Sequence, residues 1–301
     1  MRQYILAWAA VAALALPAQA EKIYGLTNFQ ELVTFDGDVR TVTATTPLAG
    51  FNITGEILVS IDVRPATGEL YGLSNQNNIY KINPLTGSRT QVGATLATAP
   101  MGNLKAIEFN PTVDRIRVVS SGASPNNFRV HPDTGAVIMP LDQPLAFNAG
   151  DANFGDTPAV VSAAYTNSFA GATSTTLYNI EAFNDVLTTQ APPNDGKLNT
   201  IRPIGFDVVT SGGFTGFDIS GATGRAYLTG NSLVGGGLTA NSLYAVDLTP
   251  GSTAAAALLG PVSGVNGTFR DIAVAAVPEP ATIGLLTLAG LATCVIGRRR
   301  K

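Results

Sequence analysis

A four-residue phrase returns along this chain at long, nearly even intervals, and any fold must accommodate that period. The phrase is apolar-Tyr-x-apolar: Ile23-Tyr24-Gly25-Leu26, Leu70-Tyr71-Gly72-Leu73, Leu177-Tyr178-Asn179-Ile180 and Ala226-Tyr227-Leu228-Thr229, with Ile116-Arg117-Val118-Val119 as a variant lacking Tyr. Successive copies begin 47, 46, 61 and 49 residues apart. A second phrase precedes most of them: Ser60-Ile61-Asp62-Val63, Ala106-Ile107-Glu108-Phe109, Ser162-Ala163-Ala164-Tyr165 and Gly216-Phe217-Asp218-Ile219. Its fifth copy, Arg270-Asp271-Ile272-Ala273, stands alone near the end of the body. A third phrase runs into a turn, as in Ile79-Tyr80-Lys81-Ile82-Asn83-Pro84, with echoes at Phe128 to Gly135 and Leu243 to Gly251.

These segments are short, alternate in polarity, and are rich in Val, Ile, Tyr and Thr between Pro, Gly and Asn clusters, which is the pattern of strands. Four strands per repeat of this length suit the blades of a propeller, each a four-stranded antiparallel sheet. The first repeat lacks its opening strand, and the orphan segment at 270–274 is that strand displaced to the far end. Pairing the two closes a ring and buries a sheet edge. The chain is therefore expected to be all-β, a five-bladed β-propeller closed by a C-terminal strand. The blades are placed at 22–50 with 268–277, 57–100, 103–145, 158–206 and 214–263. A β-sandwich is the competing architecture, and the displaced strand argues against it.

The two termini read as addresses. Arg2, the apolar run from Tyr4 to Leu16 and Pro17-Ala18-Gln19-Ala20 form a signal peptide over residues 1–20, with a site for signal peptidase after Ala20. At the other end Val277-Pro278-Glu279-Pro280 precedes 16 uncharged residues from Ala281 to Ile296, followed by Gly297 and the stop Arg298-Arg299-Arg300-Lys301. Sixteen residues make roughly 24 Å of helix, slightly short of a hydrocarbon core of about 30 Å, a gap that snorkelling arginines close. A transmembrane helix is expected over 281–297, with the basic end in the cytoplasm. Residues 278–301 resemble the PEP-CTERM sorting tail of Gram-negative bacteria. That resemblance implies retention in the inner membrane, an exosortase-type processing enzyme, and export to the cell surface or beyond. An ordinary uncleaved anchor is the alternative.

The body, 21–277, is similar to a secreted bacterial family of unknown function. The residues that carry this are Ile23 to Thr27, Arg64 to Tyr71, Phe109 to Val118 and Ala163 to Asn167. The family implies a propeller-like fold and supplies no catalytic residues.

Composition excludes several chemistries. The chain has 18 basic and 21 acidic residues; setting aside Arg2, the four terminal cations and Glu279 leaves 13 and 20 in the body, a net charge of −7. Nucleic acid needs a basic face, so it is not an expected partner. The single Cys, Cys294, lies in the tail, so the body has no disulfide and no thiol catalyst. The single His, His131, rules out His-rich zinc sites and falls where other repeats carry Asn83, Asp247 and Asp36, which suits a turn cap.

Two constellations remain as metal candidates, both for calcium. The first is Asp62, Glu108, Asp218 and Asp271, with Ala164 in the fifth place, on the strands that line a propeller axis. Against it stands a structural use, in which each carboxylate accepts hydrogen bonds between neighbouring blades or pairs with Arg64, Arg115 or Arg270. The second is Asp151-Ala152-Asn153-Phe154-Gly155-Asp156, whose Asp151, Asn153 and Asp156 offer oxygens; Ser162 stands where an EF-hand needs Glu, so an Asx-turn connector competes.

The tyrosine series suits packing between blades better than a sugar platform. Long segments at 120–127, 146–158 and 230–241 are expected on one face, which is favoured for binding. The chain is thus expected to be an exported, non-catalytic binding module for exopolysaccharide or another envelope component. The alternative is a calcium-assisted propeller enzyme, a lactonase, hydrolase or lyase.

Overall fold

A computed structural model describes residues 21–48, 53–124, 126–208, 215–234 and 237–275. Strands dominate from the start. Blade one begins with β1 (Lys22–Thr27), β2 (Glu31–Asp36) and β3 (Val42–Pro47), and blade two holds β4 (Leu58–Val63), β5 (Leu70–Ser74), β6 (Ile79–Ile82) and β7 (Arg89–Gln91). Blade three holds β8 (Lys105–Asn110), β9 (Arg115–Ser120) and β10 (Asn127–Val130); the short β11 (Ala146–Phe147) follows it. Blade four holds β12 (Val160–Tyr165), β13 (Leu177–Glu181), β14 (Val186–Gln190) and β15 (Lys197–Pro203). Blade five holds β16 (Phe217–Ile219), β17 (Ala226–Val234), β18 (Gly237–Val246) and β19 (Ala256–Pro261), and β20 (Phe269–Val274) returns to pair antiparallel with β1.

The result is the five-bladed propeller that the repeats predict, closed by the displaced strand. The inner strands touch in a cycle, β20 with β4, β4 with β8, β8 with β12, β12 with β16, and β16 with β20. Hydrophobic burial follows the same cycle. One apolar cluster fills each of the five seams: Leu26 with Ile61, Tyr71 with Phe109, Ala106 with Val160, Ile180 with Phe217, and Tyr227 with Ile23 belong to the successive clusters. Each sheet has a blade against both of its faces, so inner strands such as β12 are buried at every position rather than at alternate ones. Tyr71 and Phe109 meet edge to face across the second seam, with centroids 5.0 Å apart.

The structure departs from four strands per blade in the middle of the chain. Blade three has three strands, and Val130 and Val137 form only an isolated bridge where a fourth would lie. Pro132, Pro140 and Pro144 remove backbone donors from that stretch. The next strand, β11, instead pairs parallel with β15, giving blade four a fifth strand at its outer edge. The segment 230–241, expected as a loop, is a hairpin: Gly230 pairs with Ser242 and Val234 with Gly237. Among the described residues no helix is long and apolar enough to cross a membrane. The signal peptide expected at 1–20, Val277 to Pro280, the transmembrane helix expected at 281–297, Cys294 and the basic residues 298–301 lie outside the described residues.

Candidate functional site

The repeated Tyr fixes which residue of each inner strand is equivalent. Opposite Tyr71, Arg117, Tyr178 and Tyr227 stand Asp62, Glu108, Ala164 and Asp218, and opposite Tyr24 stands Ala273. At this level the backbone amides of the following residues need acceptors, because they are buried. Three carboxylates serve all five. Asp62 accepts from Val63 at 2.6 Å and from Phe109 at 2.6 Å, Glu108 accepts from Tyr165 at 2.9 Å, and Asp218 accepts from Ile219 at 2.6 Å and Val274 at 2.5 Å. Three of these bonds cross seams between blades.

Asp271 lies two residues before Ala273 and so one level away from Asp62, Glu108 and Asp218. It accepts from Ser60 Oγ at 2.6 Å, from the Ile61 amide at 2.9 Å and from its neighbour Ile272 at 2.9 Å. Ser60 in turn accepts from Ile107 and Ser162 from Phe217, both at 3.0 Å. Between them the two levels place a side-chain acceptor across every seam. The alignment of Asp271 with the other three acids is therefore corrected: Asp271 stands opposite Leu26, two residues beyond Tyr24, as Ser60 stands opposite Leu73, two residues beyond Tyr71, so its acid ranks with the serines.

Oxygens of Asp62, Glu108 and Asp218 lie within 4.8 Å of one another, all buried. Burial is the largest cause that lifts every one of these acids above the ordinary carboxylate range, with Asp218 and Asp271 pushed up to about 7 and Asp62 and Glu108 well above their usual values. Mutual repulsion adds to the rise of Asp62 and Glu108. The group is small and rich in oxygen, as a divalent cation requires, yet five of its six oxygens already accept an amide. A cavity of about 20 Å³, room for one water, lies among Val59, Leu104, Lys105, Val161, Thr215 and Arg270.

Two of the arginines weighed as partners for these acids, Arg64 and Arg115, take other partners. Arg64 bridges blades two and three, reaching Asp114 at 2.5 Å and Asp133 at 2.6 Å while donating to Tyr71. Arg115 donates to the carbonyls of Val113 and Asp114. Arg270 borders the small cavity. Further ion pairs cross the later seams, Arg202 with Asp247 and Arg225 with Asp38.

The second candidate lies elsewhere. Asp151 accepts from Asn153, from the Thr200 amide at 2.5 Å and from Thr200 Oγ1 at 2.8 Å, and Asn153 donates to the same hydroxyl. These bonds fasten the connector to β15; Asp156 is exposed on the same loop. His131 Nδ1 accepts the Asp133 amide, the place that Asn83, Asp247 and Asp36 oxygens take in their turns.

The sequence reading missed a cleft of about 620 Å³ between blades three and four, bounded by Asn110, Arg115, Arg117, Arg129, Pro193 and Asn194. It opens on the side of the 111–114 and 192–195 turns, opposite the face favoured from loop lengths. Arg117 borders it and is itself buried. This residue replaces the repeated Tyr, and its guanidinium donates to Tyr165, Asn127, Asp142 and Asn194 at 2.7 to 3.2 Å. The signal was the one copy of the phrase without Tyr. Arg129 makes a forked contact with the same Asp142.

Residues 31–273 match the family model described as Domain of unknown function (DUF4394). The chain belongs to this family. The DUF4394 body is followed by a match over residues 276–301 to the PEP-CTERM protein-sorting motif, which marks an exported protein anchored in the membrane and processed by an exosortase. No curated protein matches the sequence. Solved structures similar to the DUF4394 chain include a protein of unknown function from Bacteroides caccae, 10% identical, aligned over 85% of this chain and 99% of that one with a TM-score of 0.37. A protein of unknown function from Bacteroides thetaiotaomicron is 12% identical over 85% of this chain and 73% of that one, with a TM-score of 0.46. A chain of a nidogen/laminin complex is 11% identical over 85% and 98%, with a TM-score of 0.39.

Proposed function

We propose that this exported propeller is a non-catalytic binding module for exopolysaccharide or another envelope component. The observation that carries the reading is the cleft between blades three and four, where Arg117 and Arg129 are held in fixed orientation by Asp142 and Arg117 also by Asn194. Preorganised donors on a rigid scaffold favour binding, because little side-chain freedom remains to be lost. The axial acids, engaged by amides, supply the frame. Export places such a cleft where polymers of the envelope are available to it.

A second reading is supported by one observation, the convergence of Asp62, Glu108 and Asp218 on the axis. In that reading calcium replaces their protons and assists a hydrolytic or lyase reaction. Both readings are tested by incubating the full chain, in detergent, with the producing cell's own extracellular polysaccharide, with and without calcium. Saturable binding independent of calcium supports the module. Binding that appears only with calcium, or turnover of the polymer, favours the second reading, and no binding in either condition removes the first.

A further inference from the structure

This inference rests on the binding-module reading and names the chemistry of its ligand. We propose that the cleft between blades three and four receives the carboxylate of an acidic sugar, so that the bound polymer is a uronate-bearing polysaccharide.

Charge makes the first argument. The body carries a net charge of −7, yet this cleft gathers Arg115, Arg117 and Arg129 against the carboxylates of Asp142 and Asp195. One positive charge is left in excess. Asp142 is shared by Arg117 at 2.7 Å and Arg129 at 2.8 Å, and its side chain is only 2% exposed. Arg115 meets two backbone carbonyls and, among the described residues, no carboxylate. Its guanidinium and the partly exposed one of Arg129 are the donors that face an incoming anion.

Shape makes the second. The cleft is of the size that takes small-molecule or oligosaccharide units, roughly 300–1,000 Å³. Val113, Ile138, Pro192 and Pro193 give it an apolar wall suited to the C–H face of a pyranose ring, while Asn110 and Asn194 offer amides to hydroxyls. The planar fork of Arg matches a carboxylate in two parallel hydrogen bonds, which a neutral sugar does not reproduce.

The test uses the full chain in detergent with polygalacturonate oligomers, the same oligomers after their carboxyls are reduced to alcohols, and the cell's own polysaccharide. Polygalacturonate is expected to bind, and to lose about tenfold in affinity on carboxyl reduction or with Arg115→Gln, more with Arg115→Glu. Arg115 holds no carboxylate, so its variants are expected to keep the wild-type unfolding midpoint. Equal affinity for the reduced oligomers, or for both Arg115 variants, overturns the proposal. Binding of the cell's own polymer without binding of polygalacturonate overturns the uronate assignment and leaves the module standing. Failure of the cell's own polymer to bind removes the module reading itself.

Discussion

The Val274 amide donates to Asp218 Oδ2 at 2.5 Å, a bond that joins blade five to the strand completing blade one. Asp218 Oδ1 accepts its own neighbour, Ile219. Asp218→Ala leaves two buried amides without an acceptor at the seam that closes the ring. A loss of about 3 kcal/mol is expected in urea unfolding, from about 1–3 kcal/mol per orphaned group. Asp218→Asn retains one acceptor and is expected to lose less. Hydrogen exchange of the β20 amides should rise first in the Ala variant; a uniform rise across all blades contradicts a local seam.

The buried acids set the direction of pH dependence. Unfolded carboxylates titrate near pH 4, whereas Asp218 and Asp271 are held up to about 7 by burial. Between these values the folded state keeps protons that the unfolded state has released. Stability therefore falls as pH rises from about 4 to about 7, by up to roughly 1.4 kcal/mol per pH unit for each such group. Asp247, lowered to about 2 by hydrogen bonds from Thr249, contributes the opposite slope below about pH 4. Urea midpoints are expected to be higher at pH 5 than at pH 8, and Asp271→Asn should reduce that difference. A midpoint that rises with pH across this range contradicts the assignment.

Gly216 holds the level of Ser60 and Ser162 on the blade five strand, where a Cβ would meet the Ile272 amide nitrogen at 2.4 Å. The nearest atoms all belong to the Asp271 and Ile272 backbone, so no flexible side chain can move aside. Gly216→Ala is expected to destabilise by about 2–3 kcal/mol, in the range of overpacked cores. Calorimetry checks this, and an unchanged midpoint shows that the closing seam can widen.

Arg64, 6% exposed, holds Asp114 and Asp133 from the next blade in one fork. Arg64→Lys keeps the charge and loses the planar geometry. A loss of about 1–2 kcal/mol is expected, reduced when Asp114 is already Asn; additivity of the two changes contradicts the coupling.

Much of this architecture was legible in the sequence because a propeller repeats its sheet. The Tyr phrase marks the second strand of four blades, and the orphan Asp271-Ile272-Ala273 marks the strand that closes the first. The level of Asp271 was not legible from its own phrase, since the acid there sits two residues earlier on its strand, relative to the facing Tyr, than Asp62, Glu108 and Asp218 do. Only the pairing of Tyr24 with Ala273 in the folded sheet fixes it. Blade three lost its outer strand to prolines that a count of repeats does not weigh. The cleft was illegible for a different reason: Arg117, Asp142 and Asn194 meet only after two blades pack, and no local pattern joins residues 25 and 77 positions apart.

In the proposed division of roles, the axial carboxylates hold the ring while the cleft binds the ligand. The most direct test measures stability and polysaccharide affinity together in Asp62→Asn and Arg115→Gln, below the unfolding temperature of each. Asp62→Asn is expected to lower the unfolding midpoint and keep the affinity, while Arg115→Gln is expected to keep the midpoint and lose affinity. Loss of affinity in Asp62→Asn with full affinity in Arg115→Gln would contradict that division and place the site on the axis.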